Sequence, residues 1–505
     1  MKKLYLQTFG CQMNEYDSQV VGGILENQGF QLTQEESKAD VVLMNTCSVR
    51  EHAEDRVYSR LGMLGKAKKT KPDLIVGLMG CMVEEHREQL FRRFPQLDLM
   101  IGTRNIKELP SLIEEVRKTR KQTARIKQDG LSIEYTDLIK RTSRLHAWLP
   151  IMTGCNKVCT FCIVPITRGA EVSMPAREVY REASRLVGEG VKWITLLGQN
   201  VNSYTGSSPI PMIGDRKRLS NSTFERADVN SYRGDGLRQP SLRGSDPNVA
   251  EAISESKIAS SAYRPSRNDV STFPDLLEKL CQIDGLERIS FTTSHPSDAT
   301  EELFQVIARN PKISRRFHLP LQSGSDRMLK RMKRLHTYTD YKAKIMRLRE
   351  LVPDISITTD IIAGFSGEEE GDHEATRRAL REIRYDGAYI YKYSVRPATP
   401  AVKLEDDVPH SIKEERNREL LTLQKRIAFE NNRSWLGRTV EVFVEGQSPK
   451  RREELIGRTL HEKKVVFPGR LDLIGTFQRV KLLEIKNETF IGDYEGRNGS
   501  PNAGD

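Results

Sequence analysis

Three cysteines within eight residues, Cys155-Asn-Lys-Val-Cys159-Thr-Phe-Cys162, constrain this chain more than any other feature, because its fold must present three thiols on one short loop. A [4Fe–4S] cube has four irons that usually take four thiolates. Three cysteines on one loop therefore hold three irons and leave the fourth open to another ligand. The spacing differs from the C-x-x-C pairs of structural zinc. A disulfide reading is weaker still, since seven cysteines in a long chain without an export signal point to metal or redox work in a reducing compartment.

At 505 residues the chain is too long for one core and implies about three domains. Lys and Arg number 80 against 69 Asp and Glu, a net charge of +11 that favours a polyanionic partner. The amino-terminal apolar run is too short for a signal peptide, and no stretch approaches a membrane span. A soluble cytoplasmic protein, without a membrane partner, is expected.

The fold class read from the pattern is α/β. Residues 4–9, 41–45 and 74–79 are short apolar runs, each followed by a helical period, as in βα units of a parallel sheet. Cys11, Cys47 and Cys81 each sit just past one of these runs. Ligands of open α/β sheets gather at the carboxyl ends of the strands, so a second three-cysteine metal site is expected there. The bland alternative is three buried structural thiols. Cys281 lies on the apolar stripe of a helix with Leu277 and Leu280 and is read as core.

From about residue 145 strand-like and helix-like stretches alternate, with strands expected at 146–152, 193–197, 288–293, 317–321, 355–362 and 388–393. Six βα units are too few for a closed eight-stranded barrel, so a partial TIM-like barrel is expected, with its site at the strand carboxyl ends. The Cys155 loop follows the first strand. Small and polar loops holding Gly198, Gln199 and Asn200, then Gln322 and Ser323, then Gly364 and Glu368, follow the second, fourth and fifth. Singly, each is an ordinary helix cap or turn; their common location marks them as cofactor-binding candidates.

Residues 204–272 lack apolar periodicity and are expected to be a disordered insertion. Residues 411–435 have helical period and form a connecting helix. Short runs at 439–444, 455–458, 464–467, 477–485 and 489–494, separated by turn residues, read as a small β-barrel. Lys450, Arg451, Arg452, Arg458 and Lys464 on its surface suit a nucleic-acid backbone. The expected boundaries are 1–120 for the amino-terminal α/β domain, 121–144 for a linker and 145–410 for the partial barrel. The connecting helix, the small barrel at 436–495 and a disordered tail at 496–505 complete the chain.

The Cys155, Cys159 and Cys162 motif, with Phe161 before its last cysteine, resembles the radical S-adenosylmethionine (SAM) superfamily, in which SAM occupies the open iron. With the second triad and a carboxyl-terminal barrel similar to a TRAM domain, the domain order resembles the methylthiotransferase family. Gln7-Thr-Phe-Gly-Cys11-Gln-Met-Asn-Glu-Tyr-Asp-Ser18, Asn45-Thr-Cys47-Ser-Val-Arg-Glu51, Leu196-Leu-Gly-Gln-Asn-Val-Asn-Ser203 and Thr292-Thr-Ser-His-Pro296 are similar to its tRNA branch.

The resemblance implies two [4Fe–4S] clusters and SAM. The Cys155, Cys159 and Cys162 cluster would bind SAM and yield a 5′-deoxyadenosyl radical, while the Cys11, Cys47 and Cys81 cluster would carry the sulfur. It implies as target C2 of N6-dimethylallyladenosine in the anticodon loop of tRNA, next to the anticodon, with electrons from a flavodoxin or ferredoxin system, and a monomer. The alternatives are the same chemistry on a ribosomal-protein aspartate, or a non-catalytic iron–sulfur RNA-binding sensor. The chain departs from the family pattern at Gly364-Phe365-Ser366-Gly367-Glu368-Glu369, where Pro and Thr usually replace Ser366 and Glu369, and in its long insertion.

Overall fold

Strands β1 (Lys2–Thr8), β2 (Phe30–Leu32), β3 (Val41–Thr46), β4 (Ile75–Gly80), β5 (Leu99–Ile101) and β6 (Thr123–Arg125) form one parallel sheet in the order β2-β1-β3-β4-β5-β6. The computed structural model describes residues 2–48, 51–126, 138–206 and 272–494. β3 and β4 are buried throughout, as expected of parallel strands covered on both faces. Their side chains alternate between two cores. Val41 and Leu43 join Val21, Leu25 and Leu112 on one face, and Val42 and Met44 join Val57, Leu61 and Leu64 on the other. The sheet has twice the three strands expected. The other three are three residues each, too short for a period to show, and β6 lies within the stretch read as linker.

The central domain carries β7 (His146–Pro150), the two-residue strands β8 (Met152–Thr153) and β9 (Val172–Ser173), then β10 (Trp193–Leu197), β11 (Arg288–Phe291), β12 (Arg316–His318), β13 (Ser356–Ala363) and β14 (Gly387–Lys392). β11-β10-β7 and β12-β13-β14 are parallel sheets, and a parallel bridge between Ile289 and Ile313 joins them. Six strands in sequence order, from three to eight residues in length, thus make the expected partial barrel around one continuous core. Thr205 and Thr272 pair across the base of the insertion. Of the expected insertion, 204–272, Tyr204 is buried and donates to the Met174 carbonyl at 2.7 Å, while residues 207–271, like the tail beyond Tyr494, lie outside the described residues.

The helix His410–Arg433 leads to a closed antiparallel and parallel barrel of β15 (Thr439–Gln447), β16 (Glu454–Thr459), β17 (Lys464–Pro468), β18 (Phe477–Lys486) and β19 (Thr489–Tyr494), in the order β15-β16-β17-β19-β18. This barrel docks on the amino ends of the central strands. Arg288, the first residue of β11, donates to the Arg458 carbonyl at 3.0 Å, Lys463 meets Asp386 at 3.0 Å, and His461 meets Asp354 at 2.9 Å. No helix among the described residues is long and apolar enough to cross a membrane.

Candidate active site

Cys11, Cys47 and Cys81 follow the carboxyl ends of β1, β3 and β4, which are neighbours in the sheet. The register pairs Thr8 with Asn45 and Thr46 with Gly80, so the three thiols emerge side by side. Gly10 has no space for a side chain. A Cβ there would lie 3.0 Å from the Cys47 Cβ and 2.8 Å from Asn14 Nδ2. Two buried asparagines fix the loops. Asn14 Nδ2 donates to the Thr46 carbonyl at 2.9 Å and accepts from the Cys11 thiol at 3.4 Å through Oδ1, and Asn45 Nδ2 donates to the Asn14 carbonyl at 2.8 Å. Burial pushes the Cys81 thiol up, against the pull of Arg168.

The second triad lies on the loop between β8 and the short helix Val164–Thr167. The loop is held at both ends. The Cys155 amide donates to the Gly169 carbonyl at 3.1 Å, and the Cys162 amide to the Cys159 carbonyl at 3.1 Å. The sulfurs receive donors from elsewhere: the Lys157 amide reaches Cys155 Sγ at 3.4 Å and Arg334 Nη1 reaches Cys159 Sγ at 3.3 Å. Burial raises the Cys155 thiol and pushes Cys162 up to about 12. Buried thiols packed together stay protonated until a metal takes their protons' place, which is the behaviour of a ligand set. His295, with Nε2 3.9 Å from Cys159 Sγ, is pushed down to about 2 by burial and by Arg334, so its ring is neutral at pH 7.

A cavity of about 550 Å³ lies between the two cysteine-bearing regions, lined by Cys162 of one triad and by Gly10 and Ser48, the chain neighbours of Cys11 and Cys47. Thr8, Phe9, Gly10 and Ser48 line it from the amino-terminal domain, and Phe161, Cys162, Gln322, Asp360, Ile362 and Tyr393 from the partial barrel. The volume is that of a small-molecule site. Of the cofactor-binding candidates, Phe161 and Gln322 face this space. Gln199 Oε1 instead accepts from the Gly154 amide at 2.6 Å, bracing the cysteine loop, and Gly198 packs on Met152. Asn200 Nδ2 donates to Asp298 at 2.5 Å, the carboxylate that also holds Lys157 at 2.7 Å.

Ser323 and Glu368 depart from the sequence expectation. The Ser323 hydroxyl is wholly buried and accepts from the Ser325 amide at 3.2 Å, a local turn contact. Glu368 Oε1 accepts from the Gly364 amide and from Arg416 Nη1, both at 3.0 Å, so loop and connecting helix are tied together by these residues. Burial outweighs that pairing and pushes the Glu368 carboxyl up to about 7. An acid with a raised folded pKa binds more protons folded than unfolded, so it erodes stability as pH rises from the ordinary carboxyl range to about 7. Glu368→Gln should remove this slope: between pH 4.5 and 7 wild type should lose up to about 3 kcal/mol relative to the variant in denaturant unfolding.

The five basic candidates of the small barrel divide. Lys450, Arg451 and Arg452 are exposed, Arg451 pairing with Glu454 at 3.0 Å. Arg458, which meets Glu445 at 3.1 Å, and Lys464 line a larger cavity of about 1030 Å³ between the small barrel and the amino ends of the central strands, with Arg316 and Lys425. None of the five lies at the cysteine cavity. Its position at the other end of the strands separates the basic barrel from that cavity by the length of β13, eight residues or about 26 Å at ~3.3 Å each. Sequence reading missed Arg334 and Arg168, whose contacts lie more than 150 residues away.

Fold and site together define a radical SAM protein carrying an additional amino-terminal cysteine site and a small carboxyl-terminal barrel. Residues 3–102 match the uncharacterized protein family UPF0004, residues 149–380 the radical SAM superfamily and residues 433–493 the TRAM domain. The chain is 39% identical over 495 residues to the tRNA-2-methylthio-N(6)-dimethylallyladenosine synthase of Dictyoglomus thermophilum, covering 98% of each chain. It is 38% identical to that of Carboxydothermus hydrogenoformans, covering 96% of this chain and 97% of the relative. It is 37% identical to that of Protochlamydia amoebophila, covering 98% and 97%. The chain belongs to the tRNA-2-methylthio-N(6)-dimethylallyladenosine synthase family.

Proposed function

We infer that the protein is a radical SAM methylthiotransferase that inserts a methylthio group at C2 of N6-dimethylallyladenosine next to the anticodon of tRNA. The observation that carries this reading is the cavity lined by Cys162 of one triad and by Gly10 and Ser48, which adjoin Cys11 and Cys47 of the other. Cys155, Cys159 and Cys162 would hold one [4Fe–4S] cluster, and Cys11, Cys47 and Cys81 the other. When bound, these groups supply one-electron cleavage of SAM to a 5′-deoxyadenosyl radical and a carrier for the transferred sulfur. No side chain is basic enough to remove an aromatic C–H proton, so the chemistry needs a cofactor of this kind.

The chain supplies position and exclusion of water. Lys157, Gln199 and Arg334 brace the cysteine loop, and Phe161, Ile362, Ile390 and Tyr393 give the cavity an apolar wall suited to a prenylated base. A loop nucleotide can be splayed into such a space at modest cost. Lys450, Arg451, Arg452, Arg458 and Lys464 would hold RNA backbone, which then has to run along the partial barrel from its amino ends to the cavity. An external donor of flavodoxin or ferredoxin type supplies the electrons. One chain provides both triads, so the reading requires no second copy.

Anaerobically reconstituted protein should bind about eight irons and, given SAM, reductant and prenylated tRNA, form the 2-methylthio nucleoside detected by mass spectrometry. Prenylated tRNA left unmodified by fully loaded protein would refute the reading. The alternatives, a ribosomal-protein substrate or a non-catalytic sensor, are disfavoured by full-length relatives named as tRNA synthases.

A further inference from the structure

Arg168 stands six residues past Cys162 in the sequence, but its side chain belongs to the other cysteine site. The guanidinium is 3% exposed and crosses into the amino-terminal domain, where Nη2 donates to Asp17 Oδ2 at 2.8 Å and to Asn14 Oδ1 at 3.2 Å. Asn14 Oδ1 is also the acceptor of the Cys11 thiol. The Arg168 charge also lowers the Cys81 thiol against the effect of burial. Burial works against its charge, but Asp17, Cys81 and Cys11 together hold its proton above arginine's ordinary range. Burial pushes the Asp17 carboxyl up while Arg168 pulls it down. A guanidinium does not shed its proton in proteins, so Arg168 is a buried cation beside Asp17.

The backbone around Arg168 faces the opposite way. The Gly169 carbonyl accepts from the Cys155 amide, at the start of the radical SAM loop. Arg104 Nη2 clamps the Arg168 carbonyl at 2.7 Å, and the Thr103 hydroxyl the Thr167 carbonyl at 3.4 Å. One dipeptide therefore secures the Cys155 loop with its main chain and addresses the Cys11, Cys47 and Cys81 site with its side chain. Reduction potentials of iron–sulfur clusters follow net charge and hydrogen bonds to sulfur. A buried cation beside the thiolates favours the more negative, reduced cluster, and a buried anion opposes it.

We propose that Arg168 is a positioning residue that sets the reduction potential of the cluster held by Cys11, Cys47 and Cys81, with Asp17 as its counterweight. The proposal rests on the reading of that triad as a cluster site. In the family's reaction the group at this triad has to exchange sulfur without draining the electron meant for SAM, so its potential needs a local control.

The experiment uses full-length protein carrying Cys159→Ala, so that only the amino-terminal triad loads, reconstituted anaerobically and poised with dithionite at a series of potentials while the reduced cluster is read by electron paramagnetic resonance. Arg168→Gln should lower the reduced-to-oxidised ratio at fixed potential about tenfold, a shift of about 59 mV for one electron. Asp17→Asn should raise it by a similar factor. Arg168→Lys, which keeps the charge, should stay closer to wild type.

A packing role alone would move both variants in one direction or neither. Unchanged ratios, or shifts of the same sign, overturn the proposal. Should Arg168→Gln fail to fold, Asp17→Asn decides alone, by a rise or its absence. A parent protein that takes up no iron overturns the cluster reading and this inference with it, whereas a loaded parent with unmoved variants overturns this inference only.

Discussion

Cys159→Ala is expected to abolish formation of 5′-deoxyadenosine from SAM, whereas Cys47→Ala should keep that reaction and lose methylthio insertion. The two cysteines sit on different elements, Cys159 on the loop after β8 and Cys47 at the end of β3, and the cavity between them is lined by Cys162 of that loop and by Ser48 beside Cys47. Cys159 is also supported from outside its loop: Arg334 reaches its sulfur at 3.3 Å and His295 stands at 3.9 Å. Its removal leaves two thiols and takes one partner from the buried Arg334 guanidinium, which keeps the Pro320 carbonyl at 2.9 Å, at a cost of about 1–3 kcal/mol before any loss of iron. The loss of SAM cleavage should be about 1000-fold or more, on the scale of deleting a member of a unit that acts together. Cys47→Ala leaves the Lys157, Gln199 and Arg334 contacts of the other loop intact, so cleavage should stay within about tenfold of wild type. Chromatography of deoxyadenosine and mass spectrometry of the digested tRNA separate the two products. Deoxyadenosine from the Cys159 variant, or methylthiolated nucleoside from the Cys47 variant, would contradict the assignment.

Much of this division of labour is legible in the sequence, for a physical reason. Parallel strands buried on both faces are continuous apolar runs, so residues 41–45 and 74–79 stand out, and a cysteine immediately after such a run must lie at the strand's carboxyl end. The strands of the partial barrel and the small barrel were visible by the same contrast. β2, β5 and β6 were not, because three residues carry no period, whereas β12, equally short, opens the alternating apolar run Phe317, Leu319, Leu321.

Polar loop residues were the harder part. Ser323 and Glu368 have the composition of a ligand-binding loop, but a serine or glutamate after a strand serves equally well as a partner for neighbouring amides, and here both do that. Arg168 and Arg334 show the converse. Nothing local marks them, since their meaning lies in contacts with Asp17 and Cys159 across 151 and 175 residues. The docking of the small barrel on the amino ends of the strands is likewise a matter of distant pairs, such as Lys463 with Asp386 and Arg316 with Glu462.

Gly154→Ala should be the most damaging single-methyl change near the radical SAM loop, and Gly190→Ala its control. Both glycines have positive φ, +75° and +95°, where a side chain costs about 1–2 kcal/mol. They differ in space. A Cβ on Gly154 would fall 2.0 Å from the Ala170 carbonyl oxygen and 2.5 Å from that of Gly169, whereas nothing lies within 4 Å of one on Gly190. The obstacles at Gly154 are main chain, so no side chain can swing away, and relief requires the 169–170 segment to move. That segment is the one whose carbonyl holds the Cys155 amide, and it is clamped from behind by Arg104 on the Arg168 carbonyl. Either the clamp or the loop gives way. Gly154→Ala is therefore expected to lose about four of about eight irons and with them SAM cleavage, while the amino-terminal triad still loads. Gly190→Ala should keep full iron and activity and lose only about 1–2 kcal/mol of stability. Iron analysis with unfolding curves distinguishes a local failure of the loop from global destabilisation, because only the first leaves the remaining cluster in a folded protein. Full iron and wild-type SAM cleavage in Gly154→Ala would mean that the close approach of 154 to 170 does not hold the cysteine loop in place.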